Sequence, residues 1–123
     1  MDTTSVDTPP SFEACNSIID KEEKTNCFRN IIHKEISSSL EKQHIKVKKK
    51  VDETIQVVIT IHADHKITLK SVEASEHMIQ QIPNLKKMIE KSIDDLPKIY
   101  AAIKRGIPVT TEYTLPIRIK LDR

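Results

Sequence analysis

A chain of 123 residues, 31% charged and only 3% aromatic, supports one domain with an aliphatic core of Ile, Val and Leu. Its net charge of +2 gives no reason to expect nucleic acid, and its single glycine, Gly106, excludes the glycine-rich loops that cradle phosphates or dinucleotides. No apolar run reaches the roughly 20 residues of a membrane span, and no signal peptide precedes Asp2, so any export signal or anchor is expected to lie outside this sequence.

Residues 1–11 include TTSVDTPPS, polar and proline-containing, and are expected to form a disordered tail or linker. The domain is then 12–123. Cys15 and Cys27 either close a small loop in an oxidising compartment or are two unrelated buried thiols; the residues alone leave both open. From Asp20 the pattern turns helical. Asp20 with Glu23 makes a capping-box-like start, and Phe28, Ile31, Ile32, Ile36 and Leu40 form one apolar stripe ending near Leu40. In the following EKQHIKVKKKVDE, Ile45, Val47 and Val51 share one parity, so part of it is expected to be extended.

Ile55, Val57, Ile59 and Ile61 then alternate with Gln56, Val58, Thr60 and His62, as in a strand. Val58 on the polar side points to a central strand with partial cover on both faces. ADHK at 63–66 is a turn, with Asp64 its natural turn residue. ITLKSVEA at 67–74 is the second strand of the hairpin, and its alternation slips between Leu69 and Val72 as at a bulge. Residues 75–82 read as a linker or irregular helical lead-in, and Pro83 suits the first turn of a second helix. Leu85, Met88, Ile89, Ile93 and Leu96 are its buried stripe, with Pro97 as the stop. KIYAAIKRGIP is a connection that turns at Gly106. The expected fold is α+β: two layers, with two helices on one face of a three-stranded antiparallel sheet, in the order α-β-β-α-β.

Little of this carries chemistry. His62 and His65 flank Asp64, but no further ligands are identifiable, so they read as solvated turn residues, and His33, His44 and His77 as surface residues. No nucleophile sits beside a base in a strand–turn–helix elbow, and the adjacent Asp94 and Asp95 diverge on a helix. No enzyme activity is expected. The lysines from Lys42 to Lys50 lack interleaved aromatic residues or arginine, and they read as a solvated face before a nucleic-acid or anionic-surface site.

The last stretch does raise a question. Val109, Thr111, Tyr113, Leu115, Ile117, Ile119 and Leu121 alternate with Thr110, Glu112, Thr114, Pro116, Arg118 and Lys120, which makes this the longest strand. Pro116 cannot donate to a ladder, so the strand belongs at a sheet edge or carries a bulge. The edge is either open to an incoming extended peptide or merely protected by the proline from unwanted pairing.

Leu96-Pro97-Lys98, then Arg105-Gly106-Ile107-Pro108-Val109, then Tyr113-Thr114-Leu115-Pro116-Ile117-Arg118-Ile119-Lys120-Leu121 are similar to the end of the TonB C-terminal domain. There a Leu-Pro-Lys leads through Arg-Gly-x-Pro-Val to a Tyr-x-Leu-Pro-Ile-x-Phe-x-Leu strand. Phe12 with Cys15, and Cys27-Phe28 with His33, resemble the Phe-Pro-x-Cys and Cys-Phe elements of a cysteine-bearing envelope subgroup. The resemblance spans Phe12 to Leu121. The family's Tyr-Pro after the first helix and its glycine-rich hairpin have no counterpart in SSSLEKQHIKVKKKVDET and ADHK, and Ala101-Ala102 replace its Pro-Gly.

The resemblance implies a non-enzymatic, periplasmic or envelope-facing energy-transducer domain without cofactor or metal. Its last strand would pair with the TonB-box segment of an outer-membrane transporter, or with a second copy, for energy-coupled transport. By position it also implies a Cys15–Cys27 disulfide. Thr110 to Lys120 is then the receiving edge, with Thr110, Glu112, Thr114, Pro116, Arg118 and Lys120 facing outward. The alternatives are a stand-alone envelope protein without a transport role and a small basic binder working through Lys42–Lys50.

Overall fold

The computed structural model describes residues 6–43 and 45–121. His44, the first five residues of the expected tail and the last two of the expected domain lie outside them. The chain joins the fold earlier than its composition suggests. Val6 is buried, as are Pro9, Pro10 and Ser11. The N–H groups of Asp7 and Thr8 donate to the Ile103 carbonyl at 2.9 and 3.0 Å, and the Asp7 carboxylate accepts the Arg105 N–H at 2.7 Å. Residues 6–11 are therefore part of the domain and not a disordered tail. Their backbone partners lie nearly the whole chain away, where no local pattern can reveal them.

The first strand, β1 (Ser11–Phe12), pairs antiparallel with residues 99–100. A single 3₁₀ turn, Glu13–Cys15, leads to α1 (Lys21–Lys42). Asp20 caps this helix by accepting the Glu23 N–H at 2.9 Å, and Glu22 and Glu23 favour its positive end. The helix runs through the serines at 37–39 and two residues past Leu40, because Phe28, Ile32, Ile36 and Leu40 all stay buried along one stripe. Residues 45–50 are irregular, and the expected extended segment begins only at Val51.

The sheet then forms from β2 (Val51–Ile61) and β3 (Ile67–Glu73). Their turn closes with the Asp64 carboxylate accepting the Lys66 N–H at 3.1 Å, and His65 adopts a positive φ of 69°. Val58 lies opposite Ser71 and Ile59 opposite Leu69, so Lys70 is the extra residue of a bulge, where the alternation slips. A short helix, α2 (Glu76–Gln81), replaces the expected linker; the Ser75 hydroxyl caps it by accepting the Met78 N–H at 3.2 Å. Pro83 lies in the turn before α3 (Leu85–Asp94) and not in its first turn, because Asn84 is the N-cap.

The expected connection after α3 contains β4 (Ile99–Tyr100), β5 (Ala102–Lys104) and β6 (Ile107–Val109). β5 and β6 form a hairpin with two consecutive left-handed residues at its tip, Arg105 (φ 53°) and Gly106 (φ 77°). That is the arrangement whose twist matches a two-residue hairpin, and it needs Gly106. β7 (Thr111–Leu121) completes the structure.

The main sheet is antiparallel in the order β3-β2-β7. Ile55, Val57, Ile59 and Ile61 of β2 and Tyr113, Leu115, Ile117 and Ile119 of β7 form its buried face, in one core with the helix stripes. The fold is thus α+β with helices on one face, as expected, plus α2 and four short strands. Val58 lies on the other face, which carries exposed Thr54, Thr114 and Arg118. There it sits between Ser71 and Thr114 of the flanking strands, and among the described residues no second layer covers that face.

Cys15 and Cys27 form a disulfide, which points to an oxidising, non-cytoplasmic compartment. Beside it, Phe12 stacks on Phe28 at 5.8 Å and Phe28 meets Tyr113 edge-on at 5.2 Å, so the N-terminal segment, α1 and β7 are coupled through one aromatic run. Removing the bridge by Cys15→Ser with Cys27→Ser should lower the unfolding free energy by about 3 kcal/mol, as expected for so short a loop. Urea denaturation with and without reductant measures this. A midpoint indifferent to reductant would show that the bridge constrains nothing.

Candidate partner-binding edge

β7 runs antiparallel to β2 over its full length, from Thr111 opposite Ile61 to Leu121 opposite Val51. On its other side it pairs with no strand among the described residues. The Thr114 carbonyl is reached from that open side by Arg29 Nη1 of α1, at 3.4 Å. Residues of the same parity therefore turn their backbone groups away from β2. Pro116 is one of them. Its missing N–H falls on the open side, so it leaves the ladder to β2 unbroken.

The opposite sheet edge differs. β3 is shorter, bulged at Lys70, and flanked by Glu90, Ile93 and Asp94 of α3 across a small cleft. A bulge and a neighbouring helix both obstruct strand addition. The long, regular edge is β7.

Five of the six residues expected on the edge are brought together. Glu112, Thr114, Pro116, Arg118 and Lys120 line the outer face of β7, all exposed except the partly buried Glu112. Thr110 lies outside the strand. Its hydroxyl accepts the Ala63 N–H at 3.0 Å, which ties the end of the β2–β3 hairpin to the start of β7, so the receiving strand begins at Thr111. Two outward side chains are engaged within the chain. Glu112 pairs with Lys70 at 2.9 Å, and Arg118 holds both oxygens of Asp52 at 2.9 and 3.0 Å. The hydrogen bond from Arg118 keeps the Asp52 carboxyl below its usual range and raises the arginine in turn. Thr114 and Lys120 are the outward polar side chains without an ion pair among the described residues.

Arg29 carries no signal in the sequence, yet it shapes the site. Its guanidinium lies 5.4 Å from the Tyr113 ring centroid and guards the first half of the edge. Beside it opens a cavity of about 460 Å³, lined by Pro9, Asp20, Thr25, Asn26, Arg29 and Tyr113. Among the described residues the second half of the edge, from Pro116 onward, has no such guard. The histidines of the β2–β3 turn are structural: His62 Nε2 lies 2.9 Å from the Thr68 hydroxyl, and His65 Nδ1 accepts the Ala101 N–H at 2.9 Å. Among the described residues no group of three or more His, Cys, Asp or Glu is placed to hold a metal ion.

Comparison with known proteins finds no match among family models, curated proteins or solved structures. The likeness to the TonB C-terminal domain accordingly stands on the quoted residues alone.

Burial raises the Tyr113 phenol above the ordinary 10.0, against the opposing pull of Arg29. A raised native value means that Tyr113 contributes stability present below the unfolded pKa and lost as pH rises through the folded one. In an alkaline titration followed by tyrosinate absorbance, Tyr113 should ionise above the ordinary tyrosine range. Arg29→Ala should move that step higher still, and Tyr113→Phe should remove it. An unchanged step in Arg29→Ala would separate the cation from the ring.

Proposed function

We propose that this protein is a non-enzymatic binding module of the cell envelope whose β7 edge takes up an extended strand from a protein partner. The observation that carries the reading is the one-sided ladder. β7 is fully paired to β2 on one side and, among the described residues, pairs with no strand on the other, with its proline on the open side. In strand addition the backbone supplies affinity and alternate side chains supply specificity; Thr114 and Lys120 are outward side chains without an ion pair among the described residues, and Arg118 is exposed while holding Asp52. The Pro116 gap divides contacts into a segment on each side. The quoted resemblance makes the partner strand a TonB-box-like segment of an outer-membrane transporter and the setting the periplasm, with energy-coupled transport as the outcome. The disulfide fits such a compartment.

Thr114→Pro removes a second donor from the open edge without touching the buried face. It should abolish capture of the partner and leave the circular dichroism spectrum unchanged. Photo-crosslinking from position 118 or 120 against outer-membrane extract of the source organism tests the partner directly. A transporter segment cross-linked at these positions, and not from Thr54 on the open sheet face, supports the reading. Equal capture by wild type and Thr114→Pro would remove the edge from it, and capture of a second copy alone would make the edge a dimer interface.

A further inference from the structure

The lysine run at 42–50 does not stand alone in space. Gln43, which follows the last residue of α1, donates through its amide to the Met88 carbonyl and the Ser92 hydroxyl of α3 at 3.3 and 3.4 Å. Lys87 and Lys91 line the same shallow cleft as Gln43 and Met88. Farther along, a single acceptor, Gln81 Oε1, takes the N–H groups of both Lys48 and Lys49, at 3.0 and 2.9 Å. His77 lies 3.2 Å from the Lys50 carbonyl, and Ile45 and Val47 pack against the core. The backbone that carries these charges is thus pinned to α2 and α3 instead of swinging free. Lys42, Lys46, Lys48, Lys49, Lys50, Lys87 and Lys91 are all exposed, and among the described residues none has an ion pair. Without these seven the rest of the chain is net acidic. These seven cations are carried where the 42–50 segment meets α2 and α3.

The residue types select the partner. The patch draws its cations from lysine alone, compact hydrated charges without the fork geometry of arginine, with Glu35 and Asp95 beside Lys42 and with Glu41, Asp52 and Glu53 flanking the run. It contains no aromatic side chain on which a base could stack, since Phe12, Phe28 and Tyr113 are buried together beside α1 and Tyr100 lies by His65. Spread, unpaired lysines held on a fixed backbone suit a surface of diffuse negative charge. We propose that this patch of the domain docks on a bilayer surface rich in anionic phospholipid headgroups. The proposal uses none of the β7 residues and is independent of the strand-addition reading.

The test is co-sedimentation of the full chain with vesicles of phosphatidylcholine alone or with 30 mol% phosphatidylglycerol, an amount on the order of natural anionic leaflets. Binding is expected only with the anionic lipid and should weaken steeply with salt. Lys48→Glu with Lys49→Glu, and separately Lys87→Glu with Lys91→Glu, should each lower partitioning by on the order of tenfold or more. Lys66→Glu with Lys98→Glu makes the same change in net charge at the opposite end of β2 and should cost far less. Circular dichroism checks that each variant is folded. The proposal is overturned by equal binding to neutral vesicles, by no binding to either, or by a control variant that loses as much as the patch variants. A micromolar, salt-resistant complex with single- or double-stranded nucleic acid would also overturn it, reassigning the patch.

Discussion

Pairing β7 against β2 along the full length of both strands is the constraint from which the rest of the structure follows. A shift of one residue would turn Tyr113, Leu115, Ile117 and Ile119 out to solvent and Glu112, Arg118 and Lys120 into the helices. In the observed register Ile55 meets Ile117, Val57 meets Leu115 and Ile59 meets Tyr113, giving a continuous apolar surface in one core with the helix stripes. With so few aromatic residues available, the core depends on this continuity of β-branched and leucine side chains. The aromatic residues present are concentrated where separate elements must be joined, at Phe12, Phe28 and Tyr113.

The same ladder creates a hazard at its far side. An open edge of this length invites pairing with any extended chain. Pro116 interrupts the donors, Arg118 and Lys120 place charge on the outer face, and Arg29 occupies the Thr114 carbonyl. A strand added here would have to outcompete the Arg29 contact at one end of β7, and among the described residues no such contact is found beyond Pro116. The edge is graded, guarded near Tyr113 and open toward Leu121, and a proline placed on the β2 side could not have achieved this without breaking the sheet.

Elements set by local periodicity were legible in the sequence. The Asp20 cap, the α1 stripe, the turn at Asp64, the bulge beside Leu69 and the alternation of β7 all arise from residues within a few positions of one another. What could not be read depends on contacts across the chain. Residues 6–11 look like a linker until Ile103 and Arg105 supply their hydrogen bonds. The β5–β6 hairpin is too short to show a period, and its alternation merges with that of β7 unless the break at Thr110 is known. For the candidate edge, the strand and its proline were visible. Arg29 was not, because an arginine one position after a buried phenylalanine has nothing to mark it. The neighbourhood of Lys87 and Lys91 was hidden in the same way, some forty positions from the lysines they join.

The topology also relates the two surfaces. α1 begins beside Tyr113, at the guarded end of β7, and ends at Lys42. The lysine segment then feeds directly into β2 at Val51, which lies opposite Leu121, the last residue of the open half of the edge. The end of the lysine segment, at Lys50, and the accessible part of β7 therefore share one end of the sheet, while Arg29 lies toward the other. If the lysines rest on an anionic bilayer, the open half of the strand is held close to that surface and the guarded half points away. A partner segment emerging from a membrane protein would then meet Pro116 to Leu121 first and reach the Arg29 contact last. That order would turn a nonselective backbone edge into one that favours partners arriving from the membrane side.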